Sequence, residues 1–521
     1  MKIVKTYGKS LLLAAMALGI GSAAFASPTS DATAGLFSTE TDDIQSVTDF
    51  SGVEFESWLA GSNFHKGSVD AGFAKKIGGI VIAPWYKGYM LSTNATRSEN
   101  ESVSALTAGS TYKNGTSAST TDTLKISKKF NSDFAVLLGI NDLIGVKLGY
   151  TNKGTNTSTN NSSPLTTVTA EDGTLLSKSG TVYDDDNENG ANVHNPYLNL
   201  GANLALSDTM TLKPEVDFGF RMTENFERNS YKTVIYPESA SSYTRYYNTD
   251  SSTKQNDLLP AVGVTLELGD AAESFKHTFN LGWSGTFSLF NDDDNDSGSE
   301  SYSYTDESYS RKSYNDYSDH AASSNTFVLG YALEKEMEEG FTLKGGIGLK
   351  YNMSHELTSY QSVNKTTRTT SYGDGTEEVR YTTTKGNTKE EETNYSKFAP
   401  SLAGGVQYMV TEKLRFNGGV GINLPALSMR ETTSSTKADG TTYTKTVYRT
   451  GNISENTRSN GTSSSASDEK KAEWSSVSGN AAIGFTFLLS DNFSIDAAMG
   501  YNLGSTLGNC GNLSLGALLK Y

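Results

Sequence analysis

Phe275-Lys276-His277-Thr278-Phe279-Asn280-Leu281-Gly282-Trp283-Ser284-Gly285-Thr286-Phe287-Ser288-Leu289 is the stretch on which the reading of this chain turns. Phe275, Phe279, Leu281, Trp283, Phe287 and Leu289 share one parity, and Lys276, Thr278, Asn280, Gly282, Ser284, Thr286 and Ser288 share the other. Successive side chains of a strand point to opposite faces, so this run predicts a strand with one apolar and one polar face. Met210–Met222 repeats the pattern, with Met210, Leu212, Val216, Phe218 and Phe220 set against Lys213, Glu215, Asp217 and Arg221. Phe341–Met353 does so again, and Leu414–Leu424 and Phe493–Leu503 follow.

A soluble β-sandwich also alternates, so other features have to decide. The alternating runs are about 11–16 residues long, against roughly 5–6 in soluble sheets. About 9–11 residues cross a bilayer at a tilt. Aromatic residues stand near the ends of the apolar faces, as an interfacial girdle requires. Connections alternate between short and long. The short ones read Asn131-Ser132-Asp133, Ser207-Asp208-Thr209, Glu338-Glu339-Gly340, Thr411-Glu412-Lys413 and Ser490-Asp491-Asn492, small polar residues suited to tight hairpins. The long ones, at about 93–121, 153–192, 223–255, 291–323, 356–395 and 431–472, are rich in Ser, Thr, Asn, Asp and Tyr.

The expected fold is therefore all-β: a closed, antiparallel, up-and-down transmembrane β-barrel with long extracellular loops. About 16 strands are expected, at 51–60, 68–76, 79–92, 122–140, 143–152, 193–206, 210–222, 256–268, 274–290, 324–336, 340–355, 396–410, 413–430, 473–490, 492–504 and 511–521. In 122–152 either Asn131–Asp133 or Asn141-Asp142 is the tight turn, and both choices leave the total even, as single-chain bacterial barrels need.

The ends of the chain point the same way. Lys2, Lys5 and Lys9, the apolar run Leu11–Ile20 and Ala24-Phe25-Ala26 form a signal peptide over 1–26. No later segment approaches 18 consecutive apolar residues, so no membrane helix is expected. Residues 27–50 are a periplasmic lead-in or a plug in the lumen, and 51–521 are the barrel. At the other end Leu513, Leu515, Ala517, Leu519 and Tyr521 share a parity. That ending resembles the assembly signal of outer-membrane proteins, and the chain as a whole resembles porin-like outer-membrane barrels. The run Ala71-Gly72-Phe73-Ala74-Lys75-Lys76-Ile77-Gly78-Gly79 is similar to barrels of spirochaetes such as treponemes. The resemblance implies contact with outer-membrane lipid, a lipopolysaccharide-type surface and the outer-membrane assembly machinery. A homotrimer is compatible with it.

Composition narrows the function classes. The 521 residues carry a net charge of −16, which argues against nucleic acid as a partner, since phosphate needs a basic stripe. The single cysteine, Cys510, can form neither an internal disulfide nor a thiolate metal site. Five histidines (His65, His194, His277, His320 and His355) and the pair Asp319-His320 do not make up a nucleophile or metal motif, so neither an enzyme nor a cofactor is expected. Two acidic runs, Asp184–Glu188 and Asp292–Asp296, are weak metal candidates through Asp292, Asp294 and Asp296. The helix–loop–helix calcium pattern fails in both, because its twelfth position falls on Pro196 in one and Tyr304 in the other.

Closure at about 16 strands leaves room for an aqueous lumen. The polar parity assigns Lys213, Glu215, Asp217, Arg221, Glu267, Lys276, Lys344, Lys350, Arg415, Asp496 and Lys520 to its wall. The expectation is a porin-like channel for passive diffusion of small hydrophilic solutes or ions. Its basic members, Lys213, Arg221, Lys344, Lys350 and Arg415, would favour anions, with Glu215 and Asp217 opposing. The alternative is a surface adhesin whose Tyr/Ser-rich loops, such as Ser301–Tyr317, contact a host or matrix ligand, since tyrosine offers rigid contact area. A third reading is a secreted all-β binding protein that never enters a membrane.

Overall fold

The computed structural model describes residues 46–50, 57–62, 68–105, 115–163, 166–170, 175–236, 243–303, 307–338, 340–372, 374–461, 463–490, 493–503 and 513–520. The signal region, residues 27–45, Cys510 and Tyr521 lie outside them. Among the described residues there are 22 strands, all in one sheet. In chain order they are β1 (Ser57–Ser62), β2 (Ser68–Ile77), β3 (Ile80–Ala105), β4 (Gly115–Ile140), β5 (Ile144–Ser163), β6 (Thr166–Ala170), β7 (Leu175–Ala202) and β8 (Leu204–Ser207). Then come β9 (Met210–Tyr236), β10 (Tyr243–Leu268), β11 (Lys276–Ser303), β12 (Glu307–Glu338), β13 (Phe341–Ser371), β14 (Glu377–Thr411) and β15 (Leu414–Asn423). The last are β16 (Leu427–Lys437), β17 (Thr441–Val447), β18 (Ile453–Ser459), β19 (Ser465–Trp474), β20 (Ser478–Ser490), β21 (Phe493–Leu503) and β22 (Leu513–Lys520). Pairing is antiparallel throughout, and β1 pairs with both β2 and β22.

The tight turn in the ambiguous stretch is Ile140-Asn141-Asp142-Leu143. Asn141 and Asp142 have φ of 52° and 55°, and Leu143 N–H donates to Ile140 C=O at 3.0 Å. Two successive positive φ values define the hairpin turn whose twist matches paired strands, and Asn and Asp tolerate it best after glycine. Asn131–Asp133, expected as a short turn, instead lies inside β4, where Asp133 faces Thr151 of β5.

The long connections are a larger correction. Most of the residues expected as polar loops continue as paired strands, so β12, β13 and β14 reach 32, 31 and 35 residues. In their outer halves both faces are polar, as where Thr366 and Thr367 of β13 oppose Thr382 and Tyr381 of β14. Threonine and tyrosine favour strands and cross-strand Thr pairs are stabilising. With no apolar face there is no alternation to read. The excess over about 16 strands has largely the same origin: β6, β16 and β17 are short pieces laid against β4 and β14, β18 and β19 pair with β17 and β16, and β8 is the end of the expected strand 193–206, set off from β7 at Asn203 and paired with the start of β9.

The two faces of the sheet differ sharply in cover. Val81, Ala83 and Trp85 of β3 and Leu137 of β4 are buried, while Ile80 and Ile82, one residue out of phase, are exposed. Exposed apolar residues recur on the same face of successive strands: Leu148, Leu200, Phe218, Val264, Leu281 (63 %), Leu329, Ile347, Leu402, Ile483 and Met499. No second sheet covers them, since all described strands belong to one. Among the described residues no helix is long and apolar enough to cross a membrane.

Candidate functional site

Directly opposed residues of neighbouring strands share a face, so the register carries each side chain's placement across the sheet. Following it puts Lys213, Glu215, Asp217, Arg221, Glu267, Lys276, Lys344, Lys350, Arg415 and Asp496 all on the face opposite the exposed apolar band. The side chain of Lys520 and those of Leu515, Ala517 and Leu519 lie outside the described residues. Their backbones pair in β22, Leu519 with Leu59 and Phe493, and Lys520 with Trp58. The acidic side chains Asp292, Asp294 and Asp296 are likewise outside, on a β11 backbone paired with β10. No cluster that could hold a metal occurs among the described residues.

Nearest the short turns, the polar face carries a row of alternating charge. Asp49 meets Lys213 at 2.6 Å, Lys213 meets Glu267 at 3.0 Å, and Glu267 meets Lys276 at 3.2 Å. Lys276 stands opposite Glu334 in register, and Glu334 meets Lys344 at 3.2 Å. The row runs through β9, β10, β11, β12 and β13 and compensates its own charge.

Farther along, Arg221 donates from Nε (2.8 Å) and Nη2 (2.6 Å) to Asp257 Oδ2. The other oxygen of Asp257 accepts from Gln255 Nε2 and Ser288 Oγ, both at 2.9 Å. Asp257 is wholly buried, and this partner set makes a buried carboxylate tolerable. On β15, β20 and β21 the Arg415 guanidinium and Asn417 amide donate to Thr486 Oγ1 at 3.5 and 3.2 Å, and Thr486 donates to Asp496 at 2.6 Å. Glu215 and Asp217 lie beside Lys147 of β5, which Asp133 also approaches, and Asp133 accepts from Tyr197 at 3.1 Å. Four of the five basic residues expected to favour anions thus share their surroundings with carboxylates or hydroxyls. Among the described residues Lys350 meets no carboxylate; the charged side chain acting on it is Lys397.

Residues 46–50 lie against this same face. Val47 and Phe50 are 3 % and 1 % exposed and pack with Ala74, Val81, Ala83, Trp85 and Leu137. They fit because Gly139, Gly145 and Gly201 stand directly opposite one another on β4, β5 and β7. A Cβ on any of the three would run into Val47, Thr48 or Phe50. A transverse row of glycines is thus a trench for an incoming chain. Ser46 Oγ and Thr48 Oγ1 donate to Asp49 Oδ2 at 2.9 and 3.0 Å, which aims its other oxygen at Lys213. Burial works against the Asp49 carboxylate, but Lys213 and the two hydroxyls outweigh it and hold its pKa below the ordinary 3.8.

Sequence reading missed Asp49, Lys147, Asp257, Glu334 and Lys397. Asp257, Glu334 and Lys397 lie in the expected strands 256–268, 324–336 and 396–410 at the parity opposite the apolar residues there, so reading the alternation along those strands finds them. Lys147 sat in the stretch with two candidate turns, and Asp49 sat in a segment without alternation.

No family model matches the chain, and no curated protein sequence matches it. Among solved structures, it is similar to the toluene transporter TodX of P. putida at 9 % identity, covering 95 % of this chain and 98 % of that one, with a TM-score of 0.33. The monoaromatic hydrocarbon channel CymD is similar at 10 % identity, 95 % and 97 % coverage and a TM-score of 0.29. A Pseudomonas aeruginosa FadL homologue is similar at 8 % identity, 95 % and 98 % coverage and a TM-score of 0.26.

Proposed function

We propose that the protein is an integral outer-membrane channel for small hydrophilic solutes, exported by its signal peptide. The observation that carries this is the band of exposed apolar side chains set on the back of a charged, hydroxyl-rich face. An exposed apolar surface recurring on strand after strand is what lipid covers. In hydrocarbon every backbone donor and acceptor must be paired, so a spanning sheet has to close. The pairings support closure in sixteen staves: β1, β2, β3, β4, β5, β7, β9, β10, β11, β12, β13, β14, β15, β20, β21, β22 and back to β1. The polar face then lines a lumen wide enough for water. Lys213, Glu215, Asp217, Arg221, Glu267, Lys276, Lys344, Lys350, Arg415, Asp496 and Lys520 are its wall.

Residues 46–50 are in this reading the seated end of a luminal plug rather than a lead-in outside the barrel. Burying Phe50 alone contributes about 1.5–3 kcal/mol to the seating, and the Asp49–Lys213 pair adds to it. Planar-bilayer recording tests the channel. The purified, refolded chain is expected to give discrete conductance steps in potassium chloride; a folded preparation that never conducts overturns the reading.

A second reading is favoured by a separate observation. Asn423 pairs directly with Ser478, so residues 424–477 form a side branch of the sheet, whose β16 and β17 pair along the outer half of β14. Its strands β18 and β19 are exposed at every residue. Such a projecting fin suits contact with a host or matrix ligand, with the barrel as anchor.

A further inference from the structure

The inward lysines and arginine that meet carboxylates are already compensated: Lys213 by Asp49 and Glu267, Lys276 by Glu267, Lys344 by Glu334, Arg221 by Asp257. Lys350 of β13 and Lys397 of β14 differ. Lys350 stands opposite Ala399, and Lys397 opposite Asn352, so the two lysines are diagonal neighbours on the polar face. Diagonal neighbours on an antiparallel pair lie about 7–8 Å apart or less. Among the described residues no ion pair involves either one, and the charge acting on Lys350 is that of Lys397. Both are half-buried. Like charges held side by side repel, so their juxtaposition is uncompensated within the wall and is relieved by an anion between them.

The surroundings supply further donors. Ser401 and Thr326 carry hydroxyls on the same face, Ser401 opposite Gly348 and Thr326 opposite Asn352. On the back of the sheet at this level Tyr351 opposes Phe398, an aromatic pair at the end of the apolar band farther from the short turns. That places the lysines near the outer mouth, beyond the self-compensating charge row.

Building on the channel reading, we infer that Lys350 and Lys397 form an anion-binding site at the outer mouth, taking small solutes with two negative charges such as phosphate. Two ammonium groups at this spacing accept a dianion with one oxygen on each, and the hydroxyls complete its coordination. Lysine serves as a point charge here, so the site is selective for charge more than for shape.

The test uses the full-length refolded protein in detergent and inorganic phosphate as the probe, read by titration calorimetry. Phosphate binding is expected for the wild type, to weaken at least tenfold in K350Q/K397Q, and to return in K350R/K397R. Faster migration of unboiled samples on gels shows that each variant is folded. In bilayers the chloride-over-potassium permeability ratio is expected to fall at least twofold in K350Q/K397Q. Equal phosphate binding by wild type and K350Q/K397Q, or none by a folded wild type, overturns the site. Because calorimetry needs no current, a protein that binds phosphate but never conducts leaves the site standing and removes the channel instead.

Discussion

At Asp49 three influences meet: burial, a lysine from β9 and two hydroxyls from its own turn. The carboxyl is held below 3.8, so its contribution to seating residues 46–50 is complete above that pH. It is lost as pH falls below 3.8 through the lowered folded value. Lys213 stays charged across this range, and Glu267 shares it. Conductance is therefore expected to rise below about pH 4 as the segment leaves the trench. Asp49→Asn is expected to show the raised conductance at pH 7 already, without the acid step. A variant with wild-type conductance at pH 7 and an unchanged acid step would mean that the pair does not seat the segment. The identity of Asp49's partner was not readable in advance, because 164 positions of chain separate Asp49 from Lys213 and only the sheet's register joins them.

Among the elements, the strands fall into two kinds. Those inside the apolar band announce themselves by period two, as in Phe275–Leu289, and β11 carries that run. The outer halves of β12, β13 and β14 carry no such signal and are strands because a neighbouring strand is already in place to pair with. Since Asn423 faces Ser478 across β15 and β20, the branch β16–β19 is dispensable to the ring of staves. Replacing residues 424–477 by a short Asn-Gly hairpin is expected to leave a folded barrel with unchanged conductance. Under the adhesin reading the same deletion removes contact with matrix ligands, scored by adhesion of cells that display the protein. Loss of folding would show that the fin supports the wall instead.

For the molecule as a whole, the decisive contact is between its two ends. β1 and β22 share five opposed pairs, from Trp58–Lys520 to Ser62–Gly516. Antiparallel strands that lack this partner would leave a row of unpaired groups in lipid, each costing several kcal/mol. The intact chain is expected to migrate faster unboiled than boiled on detergent gels. Deleting residues 513–521 is expected to abolish that difference, since one edge each of β1 and β21 is then left without a partner. A truncated chain that keeps it would argue against closure through these strands.

The amino-acid sequence alone determined which side chains make the exposed apolar face and which the polar one, because a strand's period is a local property that each residue's polarity reports. It also placed the strand cores and, through small polar residues, most of the short turns. Tertiary structure decided what the charges do. Whether Lys213, Arg221 and Lys344 are free or compensated depends on residues from other strands, and the seat for Phe50 depends on three glycines meeting across three strands. It also decided how far the hairpins extend, since pairing propagates from strand to strand where sequence offers no pattern to read.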